Sequence, residues 1–258
     1  MITAERVRYN TLCEVFPTNI QGTIKSMESL IAVSGLAKAF GLFPALRGVD
    51  FTVEKGIQVA LLGPNGSGKT TLLRLLCALS RPTAGTISVG GWALPGEAAA
   101  VRAQLGVVMH LPLLYDDLTA EENLRFFARL YNLDKPNAWI AACLARVGLA
   151  KQAHELVRTF SRGMQQRLSL ARAAIHNPAV LLLDEPYTGL DVNGTEMLDG
   201  LLDEWKSAGR TVIISTHDLQ RATASDQVLI LHRGRLVANQ SLSQLSDLSA
   251  LFARVTPQ

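Results

Sequence analysis

The chain has 258 residues, 48% of them hydrophobic, and a formal net charge of +3. That suffices for one sizeable α/β domain, while so slight and dispersed a charge gives no footing for nucleic acid as a partner. No apolar run approaches the roughly 18 residues of a membrane span, and no charged-then-apolar leader opens the chain, so neither a transmembrane helix nor export is expected.

Residues 1–26 lack any sustained period and Met27 resembles a natural start. Residues 1–27 are therefore expected to be an extension, loose or belonging to a mis-assigned start, ahead of a domain over 28–258. From Leu30 the pattern is strand-like, with Val49, Phe51 and Val53 alternating as one buried face. An apolar run (Val59, Ala60, Leu61, Leu62) then meets Gly63, Pro64, Asn65, Gly66, Ser67, Gly68, Lys69, Thr70 and Thr71, and a helical pattern follows through Leu72, Leu73, Leu75, Leu76 and Leu79. This is a complete phosphate-binding loop in the strand–loop–helix setting that the motif requires. Glycines let backbone N–H groups converge on an anion, and the helix N-terminus adds partial positive charge beneath it. Lys69 is placed to reach the β- and γ-phosphates of a nucleoside triphosphate, and Thr70 to offer its hydroxyl to Mg²⁺.

A turn at 82–86 leads to a short strand over 87–89, and 107–109 reads as a buried strand. Between about 117 and 156 the period becomes helical, through Leu118, Leu124, Phe127, Leu130, Tyr131, Ile140, Leu144 and Val147, which predicts a helical lobe. Strands over 180–183, 211–215 and 228–231 alternate with helices over 196–206 and 220–225. Such alternation predicts a mostly parallel sheet with helices on both faces. Cys13, Cys77 and Cys143 are odd in number, far apart and without metal-ligand spacing, as expected of buried or idle thiols in a reducing compartment.

The strand over 180–183 delivers Asp184 and Glu185 at its C-terminal end, where open α/β sheets bind ligands. Asp184 suits Mg²⁺, a hard cation that takes carboxylate and water oxygens. Glu185 suits orientation of an attacking water and acceptance of its proton. Alone, two acids at a strand end are ordinary surface groups; beside the phosphate loop they gain a role. Ser161, ahead of a helix over 165–174, is by itself an N-capping serine, yet with the Gly163 N–H it also makes an anion site. His217 ends the strand over 211–215, level with Glu185, where it can touch a γ-phosphate or hold the water.

Taken in order, the loop at 63–70, Phe160-Ser161-Arg162-Gly163-Met164, the strand ending in Asp184 and Glu185, Gly189-Leu190-Asp191 and His217 resemble the ATP-binding subunit of an ABC transporter. The resemblance covers roughly residues 28–237. It implies a P-loop NTPase core with a mostly parallel sheet, an N-terminal antiparallel β-subdomain and an inserted helical subdomain. It further implies ATP and Mg²⁺ as ligands, hydrolysis of ATP to ADP and phosphate, and two subunits stacked head to tail around ATP, here as a homodimer. In that arrangement Ser161 and Gly163 bind the γ-phosphate in trans, Asp191 lies at the dimer seam, and Phe40 stacks on adenine, with a core phenylalanine as the lesser alternative for Phe40. The γ-phosphate favours the closed pair, and its loss releases it. Integral membrane transporter subunits are the implied partners, placing the chain peripherally on the cytoplasmic face of the cell membrane, with the helical lobe offering a groove edged by Tyr115 and Glu121.

The sequence departs from the family pattern at Arg162, in place of a glycine, and at Met164, where glutamine often stands. His110 occupies the position of a glutamine that touches Mg²⁺ and senses the membrane partner. Imidazole is a poorer partner for a hard cation than an amide oxygen, so His110 is expected to keep the coupling role without the metal contact. With the segment 114–124, these features look most like the haem-exporter subunits of cytochrome c maturation. Exporters of drugs, lipids or polysaccharides share much of the pattern and remain the alternative, with a non-transport ABC ATPase behind them.

Overall fold

The computed structural model describes residues 29–256; the expected N-terminal extension and Cys13 lie outside them. Strands β1 (Ile31–Phe40) and β2 (Phe43–Val53) form a hairpin, and β1 also pairs antiparallel with β4 (Ala84–Val89), which pairs with β5 (Trp92–Leu94). In this four-stranded sheet Val49, Phe51 and Val53 are buried while Asp50 and Thr52 face out, the half-buried alternation expected of them. Pairing begins at Ala84, so the strand takes in part of the expected turn.

The second sheet has six strands in the order β10 (Arg235–Ser241), β9 (Gln227–His232), β3 (Gln58–Leu62), β8 (Thr211–Ser215), β7 (Val180–Asp184) and β6 (Leu105–Val108). All are parallel except β10, which closes one edge antiparallel to β9. Its strands alternate between the two faces of the sheet. Val180, Leu182, Leu229 and Leu231 join the cluster under the antiparallel sheet and α1 (Lys69–Leu76). Leu181 and Leu183 join the opposite cluster, with α5 (Arg162–Ala174) and α6 (Val192–Ser207); Val228 and Ile230 pack under α7 (Leu219–Ala222) and α8 (Leu248–Val255). A sheet covered on both faces needs continuous apolar strands, which is why these segments read as unbroken hydrophobic runs. The expected helix over 220–225 is a single short turn of helix, and α6 starts four residues earlier than the expected 196 because Asp191 caps it.

α2 (Ala98–Ala103) precedes β6, and the helices α3 (Ala120–Leu130) and α4 (Asn137–Arg146) fill the stretch between β6 and α5. Thr119 and Glu122 form a reciprocal capping box at the start of α3. An antiparallel bridge between Thr119 and Leu156 draws the two ends of this segment together. Leu124 is fully buried, but Leu130 is 63% exposed, against the helical stripe expected of it. Six residues advance a helix by about 240° beyond whole turns, so Leu130 falls off the face that Leu124 and Ala128 share. Burial pushes the Cys77 thiol up to about 11 and Cys143 to about 12, so both are idle thiols at neutral pH.

Gly106 in β6 runs against α5: a Cβ there would collide with the Ala173 carbonyl and stand 2.8 Å from Pro178 Cγ and 2.9 Å from Leu181 Cδ2. Gly106→Ala is expected to destabilise the fold by about 1–3 kcal/mol through overpacking, read as a lower urea midpoint with an unchanged m-value; a wild-type midpoint would show that β6 and α5 can separate freely.

Candidate functional site

The loop from Gly63 to Gly68 joins β3 to α1 at the C-terminal edge of the parallel sheet. Two glycines have conformations that side chains oppose. Gly63 has φ 150°, and a Cβ there would strike the Leu231 carbonyl; Gly68, the N-cap of α1, has φ 111°, with Leu46 Cδ2 2.7 Å from where a Cβ would be. The loop is braced from the far side of the sheet, where Gly234 N donates to the Ser67 carbonyl at 3.0 Å. Ser67 Oγ is buried without a hydrogen-bond partner, an acceptor and donor left over inside the loop.

Lys69 is only 7% exposed, and its ammonium donates to the carbonyls of Gly63 at 2.7 Å and Pro64 at 3.3 Å. Burial lowers its pKa; Glu185 and Asp184 pull the other way. Thr70 Oγ1 donates to Asp184 Oδ2 at 2.8 Å, and Ser215 Oγ donates to Asp184 Oδ1 at 2.6 Å. Asp184 is 3% exposed, so both oxygens are tied while hidden from bulk water. Glu185, just past the strand, has φ 50°, a left-handed conformation that is costly for a residue with a Cβ. Its N–H donates to Ser215 Oγ at 2.9 Å, and its carboxylate meets His217 Nδ1 at 2.9 Å. The expected level placement of Glu185 and His217 is thus a direct contact, with the His217 side chain 76% exposed.

The other expected residues lie apart from this cluster. Ser161 caps α5, accepting from Met164 N at 3.3 Å, and Gly163 packs so closely on the Gly189 carbonyl that a Cβ would be 2.8 Å from it. Among the described residues no hydrogen bond joins Ser161 or Gly163 to the phosphate loop. Asp191 accepts from Gly194 N at 2.8 Å and Arg167 at 2.6 Å, which hold its carboxyl below the usual range, yet its side chain stays 66% exposed. Phe40 is 55% exposed at the end of β1, with Lys38 Nζ 4.8 Å from its ring centroid, so the core reading of this residue does not hold. His110 is exposed just beyond β6. The sequence gives no sign of the ties that seat these groups. Gln166 Nε2 donates to the Pro186 carbonyl at 2.8 Å, and the fully buried Asn123 accepts from Tyr115 N at 2.8 Å and donates to its carbonyl at 2.9 Å.

Fold and cradle together define a P-loop NTPase. The ABC transporter family model matches residues 46–188, and the chain belongs to that family. It is 37% identical over 207 residues to the ABC transporter ATP-binding protein NatA of Bacillus subtilis, covering 79% of this chain and 84% of that one. A fluoroquinolones export ATP-binding protein of Mycobacterium tuberculosis is 41% identical over 203 residues, covering 78% of this chain and 67% of its own. A dimeric ATP-binding cassette in a post-hydrolysis state with ADP and Pi superposes with a TM-score of 0.77 at 27% identity, over 82% of this chain and 98% of that one. Further relatives are named for Nod factor export and for daunorubicin and linearmycin resistance. None of these names refers to haem, so the expectation of haem export and cytochrome c maturation finds no support, and the exporter alternative fits better.

Lys69 carries the only ammonium of the loop. Lys69→Ala is expected to weaken binding of a fluorescent ATP analogue at least about tenfold, the value of one charged hydrogen bond, with the circular dichroism spectrum unchanged. Affinity within about threefold of wild type would remove this residue from any phosphate contact.

Proposed function

We propose that the chain is the ATP-binding and ATP-hydrolysing subunit of an ABC exporter for drugs, lipids or polysaccharides. The observation that carries this reading is the convergence, at one sheet edge, of Lys69, the Thr70–Asp184 pair and the Glu185–His217 pair. In this reading the amides of the 63–71 loop and Lys69 hold the phosphates, with Ser67 Oγ gaining a partner, while Phe40 offers its open ring face to adenine. Thr70 and Asp184 supply two hard oxygen donors and no soft ones, a set that fits Mg²⁺ completed by phosphate and water. When bound, Mg²⁺ neutralises charge building on the phosphates. Glu185 accepts a proton from the attacking water as its oxygen bonds to the γ-phosphorus and the bond to the β-phosphate oxygen breaks, giving ADP and phosphate. His217 holds the Glu185 carboxylate in place and, in this reading, touches the γ-phosphate or holds the water.

Ser161, Gly163 and Asp191 are exposed or partly exposed and make no hydrogen bond to the phosphate loop of their own protomer among the described residues, which favours their use across a homodimer; a similar cassette is dimeric. For the membrane partner, the support is an uncovered apolar rim. Leu79 and Leu113 border a cleft between α1, β6 and the helical lobe, and beside it Tyr115 and Phe126 pack edge to face at 4.9 Å while each stays at least 40% exposed. Glu121, paired with Arg125 and His154, stands at the edge of the lobe, and His110 and Leu111 lie on the loop leading to this rim, a position suited to coupling. No helix among the described residues is long and apolar enough to cross a membrane, so the proposed place is peripheral, on the cytoplasmic face.

Glu185→Gln is expected to retain ATP, lose turnover by at least about a hundredfold and accumulate as an ATP-dependent dimer in size-exclusion chromatography; normal hydrolysis would take the base role away from Glu185. Purified from its native membranes, the chain should arrive with a polytopic membrane protein, whereas recovery with ribosomes would overturn the transport reading.

A further inference from the structure

Two residues beyond Glu185, the Tyr187 hydroxyl donates to Asp199 Oδ1 at 2.6 Å. The Arg221 guanidinium lies 3.5 Å from the same oxygen and stands over the Tyr187 ring, 4.1 Å from its centroid. Arg221 Nε also pairs with Asp218 Oδ2 at 3.3 Å. Asp218 directly follows His217 and is itself pinned: its Oδ1 accepts from Gln220 N at 2.9 Å and Arg221 N at 3.2 Å, and its own N–H donates to Thr216 Oγ1 at 3.0 Å. The contacts close a ring. It runs from Glu185 along the chain to Tyr187, across to Arg221, back through Asp218 to His217, and over the 2.9 Å contact to Glu185 again.

Behind Tyr187 and Arg221 lies a cavity of about 250 Å³, bordered also by Leu202, Ile214 and Thr216. Tyr187 packs on one side against the apolar cluster of α5 and α6, while on the cavity side its contacts with Arg221 and Asp199 hold it. Burial and the neighbouring Asp199 carboxylate raise the Tyr187 pKa, so the hydroxyl remains a donor at neutral pH. None of the four residues touches the phosphate loop in any contact described, and each belongs to an element that leaves the site: the loop after β7, α6, and the turn into α7.

We propose that Tyr187 and Arg221 are positioning residues that bracket Glu185 and His217 from outside the nucleotide site, fixing their separation and thereby the place of the attacking water. The proposal rests on Glu185 acting as the water-orienting base. A shift of an ångström in such a group costs turnover rather than ground-state binding, which separates this role from simple surface pairing between α6 and α7. Exposed pairs contribute little to folding, so the variants should remain folded.

The test uses the full chain, measuring steady-state ATP hydrolysis, affinity for a fluorescent ATP analogue, and thermal midpoint. Arg221→Ala is expected to lower kcat about tenfold while KM and analogue affinity stay within about twofold. Arg221→Lys keeps the charge without the planar fork and should recover only part of kcat. Tyr187→Phe keeps the ring but loses the hydroxyl, and combined with Arg221→Ala it should cost little more than Arg221→Ala alone, as members of one unit do. Wild-type kcat in Arg221→Ala would overturn the bracket, as would losses of the two variants that multiply, or a fall in affinity and thermal midpoint that tracks kcat. If Glu185→Gln is inactive while Arg221→Ala is normal, only the bracket fails; if Glu185→Gln still turns over, the base assignment fails first.

Discussion

A carboxylate almost sealed from solvent organises this protein. Asp184 sits at the end of β7 with both oxygens bonded, one to the hydroxyl that begins α1 and one to the hydroxyl that ends β8. An ionised group so hidden is tolerated only when its bonds are met, and here meeting them joins three separate stretches of chain at one point. The phosphate loop, the strand that carries Glu185 and the strand that leads to His217 are thereby held at one edge. The same Ser215 hydroxyl that serves Asp184 receives the Glu185 N–H, so the left-handed turn at Glu185 is stabilised by the group that fixes its neighbour.

Around that junction the sheet and the helical segment share an apolar core, with Leu124, Ile140 and Leu144 packed in one cluster with Leu181 and Leu183. The parallel sheet is packed on both faces, and its edge groups inherit that rigidity. The helical segment has ties of its own as well. It enters through a capping box, and its two ends are joined by the Thr119–Leu156 bridge and by backbone bonds such as Glu121 N to the Ala153 carbonyl at 2.9 Å and Val157 N to the Leu118 carbonyl at 3.0 Å. Asn123 links it to Tyr115 in the loop after β6. The opening of α5 is bonded to the loop after Glu185 through Gln166 and Arg167, so Ser161 and the Glu185 loop belong to one connected surface.

Much of this was legible in the chain. Contiguous motifs were readable because their chemistry is local: a glycine-rich turn between an apolar strand and a helix has few uses, and two acids after a buried strand have few more beside it. Alternation also placed the strands, since a buried parallel sheet leaves a run of apolar residues that needs no tertiary knowledge to see. What escaped depends on distant partners. Phe40 keeps a core reading open until β1 ends in solvent; Leu130 obeys the helical count loosely but not the face; Asn123 looks like an ordinary polar helix residue and is wholly buried. Arg221 and Tyr187 are 34 positions apart and meet only because β7 and β8 are neighbours. The cargo expectation found no support among the relatives: it rested on His110, Arg162 and Met164, single departures within motifs that the whole family shares.

The strand order has a temporal consequence. β3, which launches the phosphate loop, pairs with β8 and β9, strands made some 150 residues later, and the loop leans on Leu231 and Gly234 beyond them. On a translating ribosome the apolar β3 must wait, unpaired, until β8 and β9 emerge. Nascent chains of this protein are thus exposed to chaperones and to misassociation for most of their synthesis, and a truncation that spares every nucleotide motif but removes β9 would leave the cradle without its backing.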